Sequence, residues 1–291
     1  MSVIVRTGET SAPTVPTRRP QRRYVAAVLR TPRGLIGLVL VVGIILVAVV
    51  GPWVIPQDAL TQGPDALLGP SGTHWLGTDE VGRDLFARLL VGTRVDLVVT
   101  LIAVPISGVL GTLLGMVGML NRFAGSFCQR LFDVLLGVPA VILGIAVALA
   151  VSPGMGSVII AIVLVTMPKF GKQSRTALLG QLPQEYVAAA EVLGYPRSRI
   201  MFRHVLPNIL DAIFVRFAVE MAQAVVVEGG LSLIGLGIQP PQPSLGAMIK
   251  SGSTYLFDHP LYSMAPVVVV VGLVAGYLLL ADALNEANLR R

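Results

Sequence analysis

Long apolar runs alternate with short polar ones along this chain, and the run lengths set its architecture. Gly34–Ile55, Leu97–Leu120 and Tyr262–Ala281 contain no charged residue. Each is long enough as one helix to cross a hydrocarbon layer of roughly 30 Å. Val134–Pro168 is uncharged for 35 residues; as one helix it would measure about 52 Å, too long for a single crossing. The breaker-rich stretch Ser152–Ser157 (SPGMGS) divides it into the two limbs of a helical hairpin. Its second limb runs on past Lys169 and Lys172, whose long stems can snorkel to the interface. A further run, Ile209–Ile234, is apolar but carries charges. The pattern predicts an all-α membrane protein with six transmembrane helices. Its parts are an N-terminal tail 1–33, a helical domain 34–283 and a C-terminal tail 284–291. The domain contains an outer loop 56–94 and a helical loop 180–208.

Composition agrees with this class and charge orients it. The chain is 54% hydrophobic and only 13% charged, with mean hydropathy +0.77, outside the range of soluble domains. Seventeen of the 22 Lys and Arg residues fall on one side of the six spans, among them Arg18, Arg19, Arg22, Arg23, Arg122, Arg175, Arg197 and Arg203. Cationic loops stay in the cytoplasm, so both termini are expected there. The basic balance therefore reflects topology and anionic lipid, not nucleic acid. The Pro-, Thr- and Arg-rich first 30 or so residues read as a flexible tail, and the first apolar run starts too late for a cleavable signal. Cys128 stands alone, and His74, His204 and His259 are scattered over separate loops. No disulfide or metal framework is expected. The nearest approach to a phosphate-binding loop, Gly171-Lys172-Gln173-Ser174, fails at Gln173 and at Thr166, so no ATP site is expected in this chain.

Three polar stretches carry candidate chemistry. Glu185–Asn208 (EYVAAAEVLGYPRSRIMFRHVLPN) is a charged, helix-forming insert between two apolar runs. Pro183 marks its start, Gly194 its C-terminal cap and Pro207-Asn208 a second break. A connecting loop need not be helical, so the insert reads as a knob shaped for a partner. In the outer loop, His74–Arg94 (HWLGTDEVGRDLFARLLVGTR) places Arg83, Asp84 and Arg88 as a surface ion-pair network around an interfacial helix. Thr78 or Asp79 would be its N-cap, with turns at Gly77 and Gly82. Asp79, Glu80 and Asp84 lack the spacing of a calcium loop. In the fifth span Arg216, Glu220 and Gln223 form one polar stripe at 100° per residue, with Glu228 further out. Either the stripe lines a path through the membrane, or Arg216–Glu220 is a structural pair at an interface. Asp133 reads as a helix-end charge.

The first two stretches, and the segment that follows the stripe, resemble signatures of one family, the ATP-binding-cassette permeases that import dipeptides, oligopeptides or nickel. Ala188-Ala189-Ala190, Gly194 and Leu206-Pro207 follow the spacing of the permease cytoplasmic loop, with Ala188 in place of Glu and His204 in place of Ile. His74–Arg94 is similar to the LGTD-x-x-GRD outer loop. Gly229–Pro241 is similar to LSFLGLG-x-Q-P-P, and Pro243-Ser244-Leu245-Gly246 to PS-x-G; only a fragment of the usual tail remains at Asp282-Ala283-Leu284. The resemblance implies the second, C-type permease subunit, with the type I importer fold. It also implies a loop helix that docks on an ATPase through Glu185, Ala188, Ala189, Ala190, Glu191 and Gly194. The implied partners are a homologous second permease, two cytoplasmic ATPase domains, which hold the ATP and Mg, and an extracytoplasmic binding protein. This subunit itself would bind no cofactor and catalyse nothing. The implied location is a bacterial cytoplasmic membrane. Within the family, nickel or another small solute is the alternative to peptide. Outside it, a secondary transporter or channel predicts inverted repeats, and a scaffold predicts independence from any ATPase.

Overall fold

The computed structural model describes residues 28–55, 57–118 and 120–289; the N-terminal tail as far as residue 27 and the final Arg290 and Arg291 lie outside the described residues. The described residues include α1 (Pro32–Val54), α2 (Leu85–Val117), α3 (Arg122–Gly137), α4 (Ala140–Val151), α5 (Met155–Gln181), α6 (Glu185–Val192), α7 (Arg197–Arg199), α8 (Leu206–Ile234), α9 (Leu245–Ser253) and α10 (Pro260–Leu289). Four of them, α1, α2, α5 and α10, are long and apolar enough to cross a membrane. The bent pair α3–α4, with 99° between its limbs, makes a fifth if it counts as one span. Helix α8 has 29 residues, long enough to cross, but Asp211, Arg216, Glu220 and Glu228 lower its hydropathy.

Two predicted boundaries move. The second helix begins at Leu85, twelve residues before the expected Leu97, so the end of the predicted outer loop, 85–94, is helical. Arg88 suits a helix interior, and its charge is placed against the buried carboxylate of Asp79. The boundary predicted at 283 falls inside α10, which continues to Leu289. The hairpin break is where the sequence puts it: Ser152 (φ 84°) and Gly154 (φ 154°) separate α4 from α5.

Helices α2 and α5 pack most extensively, with α8, α10 and α1 around them. Their seam is made of small residues, as helix pairs in lipid require for close approach. A Cβ added at Gly111 would lie 2.3 Å from the Met167 carbonyl oxygen, and one at Gly115 2.3 Å from that of Gly171. The Thr166 hydroxyl donates to Ser107 Oγ at 2.7 Å across the same seam. Val99, Ala103, Val104, Ile162 and Phe170 fill the core beside it and reach α8 through Met221, Ala224 and Val225. A second core of Met116, Leu178, Val187, Ala190, Ile200, Met201 and Ile209 lies under the α6 loop.

Candidate functional site

The loop after α5 carries a short, largely exposed helix. Helix α6 starts at Glu185 with Gln184 as its N-cap residue, so Pro183 precedes the helix and is not its first residue. Glu185 occupies the first turn, where a carboxylate meets the positive helix end. At the other end Gly194 (φ 75°) donates to the Glu191 carbonyl and Tyr195 N–H to that of Ala190. This is a Schellman cap, whose left-handed residue favours glycine. Val187 and Ala190 turn into the protein, while Ala188, Ala189, Glu185, Glu191 and Gly194 are exposed with Val192 and Leu193. The predicted partner face thus loses Ala190, which packs in the chain's own core, and gains two apolar residues.

The segment from Tyr195 to Val205 braces α6. Tyr195 stacks on His204 at 5.8 Å between centroids, with the Arg199 guanidinium 5.3 Å from the Tyr195 ring. His204, where the permease signature has Ile, is therefore a packing residue. The sequence predicts a break at Pro207; instead a π-helical turn, Ile200–Val205, leads into α8 with Pro207 in its first turn. The wider turn accommodates a residue that has no N–H to donate and whose ring crowds the preceding turn.

The outer loop is built around a buried charge, not a surface network. Asp79 is fully buried. Its Oδ1 accepts from the Val81 and Arg83 amides at 3.0 and 2.9 Å, and its Oδ2 lies 2.6 Å from Arg83 Nε and 3.3 Å from Arg88 Nε. Arg88 Nη1 also donates to the Ala59 carbonyl at 3.2 Å. The N-cap is Asp84, not Thr78 or Asp79: its Oδ1 accepts from Ala87 N at 2.7 Å and its Oδ2 meets His74 Nδ1 at 2.8 Å. The helix it caps is the start of α2 itself rather than an interfacial one. Gly82 (φ 76°) makes the turn between Asp79 and Arg83.

Within α8 the predicted stripe divides into two clusters. Arg216 Nη2 lies 2.7 Å from Oε1 of the fully buried Glu220, as the spacing predicts. Lys169 of α5 joins it, with Nζ 3.5 Å from Glu220 Oε2. Lys169 therefore does not snorkel; Lys172, a turn on, pairs at 2.7 Å with Asp133 of α3. Gln223 is half-buried. Glu228 is buried in a separate cluster, where Ser232 donates to it at 2.7 Å and the carboxyl of Asp96 from α2 meets it. Asp96 Oδ2 also accepts from Leu245 N at 3.0 Å and so helps Ser244 cap α9. The α8 exit turns at Gly235 (φ 87°) and again at Pro240–Pro241, whose peptide is cis. Sequence reasoning missed Lys169 and Asp96. The signal for Asp96 was an acid directly before an uncharged run.

Long apolar helices with an exposed, capped loop helix define a helical membrane protein. Residues 107–291 match the family model described as the binding-protein-dependent transport system inner membrane component, and the chain belongs to that family. Residues 27–70 match the N-terminal TM domain of oligopeptide transport permease C. The chain is 31% identical over 270 residues to the dipeptide transport system permease protein DppC of Alkalihalophilus pseudofirmus, covering 92% of this chain and 89% of that one. It is 33% identical over 282 residues to the probable D,D-dipeptide transport system permease protein DdpC of Escherichia coli, covering 96% and 95%. Against the glutathione transport system permease protein GsiD of Pectobacterium atrosepticum it is 33% identical over 277 residues, covering 94% and 90%. In fold it is similar to a chain of the MetNI methionine ABC transporter: TM-score 0.56 at 17% identity, over 70% of this chain and 96% of that one.

Proposed function

We propose that this chain is the C-type permease half of an ATP-driven importer of peptides, working by alternating access in a bacterial cytoplasmic membrane. The observation that carries the reading is the α6 loop. It is a short, capped helix braced from below by its own core and stacked residues, with small and apolar side chains left outward. Such a surface suits a groove in a partner, and the family supplies that partner as a cytoplasmic ATPase. Glu185, Ala188, Ala189, Glu191 and Gly194, with Val192 and Leu193, would make the contact. ATP and Mg would reside on two such ATPase domains, and a homologous second permease would complete the path. An extracytoplasmic binding protein would deliver peptide to the outer loop. The relatives' names favour a peptide over nickel or another small solute.

This reading counts six crossings with both termini inside, taking α3–α4 as one and α8 as another, and bounds the membrane domain at 34–283. Arg216, Glu220 and Gln223, joined by Lys169, form the wall of the path in this proposal. Glu228, further along the same helix, meets Asp96 of α2, which in turn accepts from the first turn of α9, and so ties α8 to α2 at the end of the same stripe. Co-purification tests the proposal. A tagged chain expressed with its natural neighbours should retain an ATPase chain, and a single cysteine at Ala189 should crosslink to it. A secondary transporter, channel or scaffold would purify without one.

A further inference from the structure

Where α2, α3, α5 and α7 meet at the α6 end of the bundle, a cavity of about 510 Å³ is lined by Arg122, Arg175 and Arg197 with Gly118, Gly125 and Ser126. Gly118 and Gly125 cross so closely that a Cβ on Gly125 would lie 2.4 Å from Gly118 Cα. The floor of the cavity is thus bare backbone. Arg175 lies across it, with Nη1 3.4 Å from where a Cβ on Gly118 would be. None of the three arginines takes part in an ion pair among the described residues. The α3 amides are not free to add to the field, because Asn121 Oδ1 already accepts from Phe123 N and Ala124 N. Three arginines around one cavity whose lining holds no carboxylate offer a place for an anion from outside the chain, and planar forks of N–H donors match phosphate oxygens.

The same helix says what carries that anion. Gly125, Cys128 and Phe132 of α3 pack inward. On its other side Phe123, Phe127, Leu131 and Val134 are exposed, Phe123 by 83%, in a stripe at helical spacing that begins beside Arg122. An apolar stripe facing outward in a membrane chain is solvated by acyl chains, and a cationic pocket at its end sits at headgroup height. We propose that Arg122, Arg175 and Arg197 bind the phosphate of an anionic phospholipid whose chains lie along α3. The site is separate from the Lys169–Glu220–Arg216 cluster and does not depend on the transported solute. The proposed orientation assigns it to the cytoplasmic leaflet.

The test uses the full chain with its co-purifying partners, reconstituted in nanodiscs of phosphatidylcholine alone or with phosphatidylglycerol. Lipid retained after re-extraction is read by native mass spectrometry. Phosphatidylglycerol should be retained over phosphatidylcholine, about fivefold more weakly for each of Arg122→Gln, Arg175→Gln and Arg197→Gln. Arg203→Gln, at the same end of the bundle but outside the cavity and off α3, should change nothing. In the unmutated chain, phosphatidylglycerol should slow phenylglyoxal modification of the three arginines but not of Arg203. Equal retention in wild type and variants, or equal slowing at Arg203, would overturn the site. Protection by inorganic phosphate in phosphatidylcholine discs, as strong as by the lipid, would assign it to a soluble anion instead. Loss of the ATPase chain from the arginine variants, with lipid retention unchanged, would assign it to a protein interface.

Discussion

Asp79 shows how one residue fixes the outer half of the molecule. Its carboxylate takes two backbone amides and two guanidiniums, so the loop 55–84 and the first turns of α2 share one buried charge. Removing one member of such a buried group leaves the others uncompensated and typically costs about 3–5 kcal/mol. Asp79→Asn, which keeps the volume, should lower the thermal midpoint and assembly yield of the complex. Arg94→Gln, at an exposed position on the same helix, should not. Equal yields for the two variants would show that the ion pairs contribute little. From sequence these residues read as a surface network, because a run of charges between apolar segments ordinarily means solvent. Burial depends on what folds over them, here the backbone around Ala59 and Leu68, and no local pattern encodes that. The Arg216–Glu220 pair was legible because i,i+4 spacing within one helix is local; Lys169 arrives from another helix, and only packing reveals it.

Among the elements, the α2–α5 seam and the α6 loop illustrate opposite uses of small residues. In the seam they are buried and allow close approach; a side chain there has nowhere to go. Gly115→Val should prevent stable assembly, since its first added carbon would already lie 2.2 Å from Ser174 Oγ. Gly43→Val on α1, where an added Cβ meets nothing within 4 Å, should accumulate normally. Comparing membrane-inserted, protease-resistant protein for the two variants checks this. The hairpin break at Ser152–Gly154 and the Gly194 cap were both legible, because each needs a backbone conformation that sequence advertises through Gly and Pro. The start of α2 and the smooth passage through Pro207 were not. Both depend on surroundings that local sequence does not show: in one case Arg88 lies against a carboxylate brought from the outer loop, in the other the turn ahead of Pro207 widens.

At the scale of the whole molecule, apolar run length revealed the all-helical membrane class. Span number and orientation remain proposals that a labelling experiment decides. Single cysteines at Thr73, Ser152 and Ser253 in a Cys128→Ser background should react with an impermeant thiol reagent added outside intact cells, and cysteines at Gln181 and Ser198 should not. Labelling at Gln181 from outside would turn the α6 loop away from the cytoplasm and with it remove the ATPase contact.

The central claim is that α6 transmits the work of a partner ATPase to this chain. It is tested most directly with Ala189→Arg in the reconstituted complex, by following substrate-stimulated ATP hydrolysis and peptide uptake together. Ala189 is exposed and touches none of the chain's own core, so the variant should fold and insert. An arginine forced into a fitted groove typically costs about 1–3 kcal/mol, equivalent to docking weakened about 5- to 150-fold. The account predicts that uptake falls by at least the lower factor and that substrate no longer stimulates hydrolysis. Unchanged uptake with normal stimulation would contradict it.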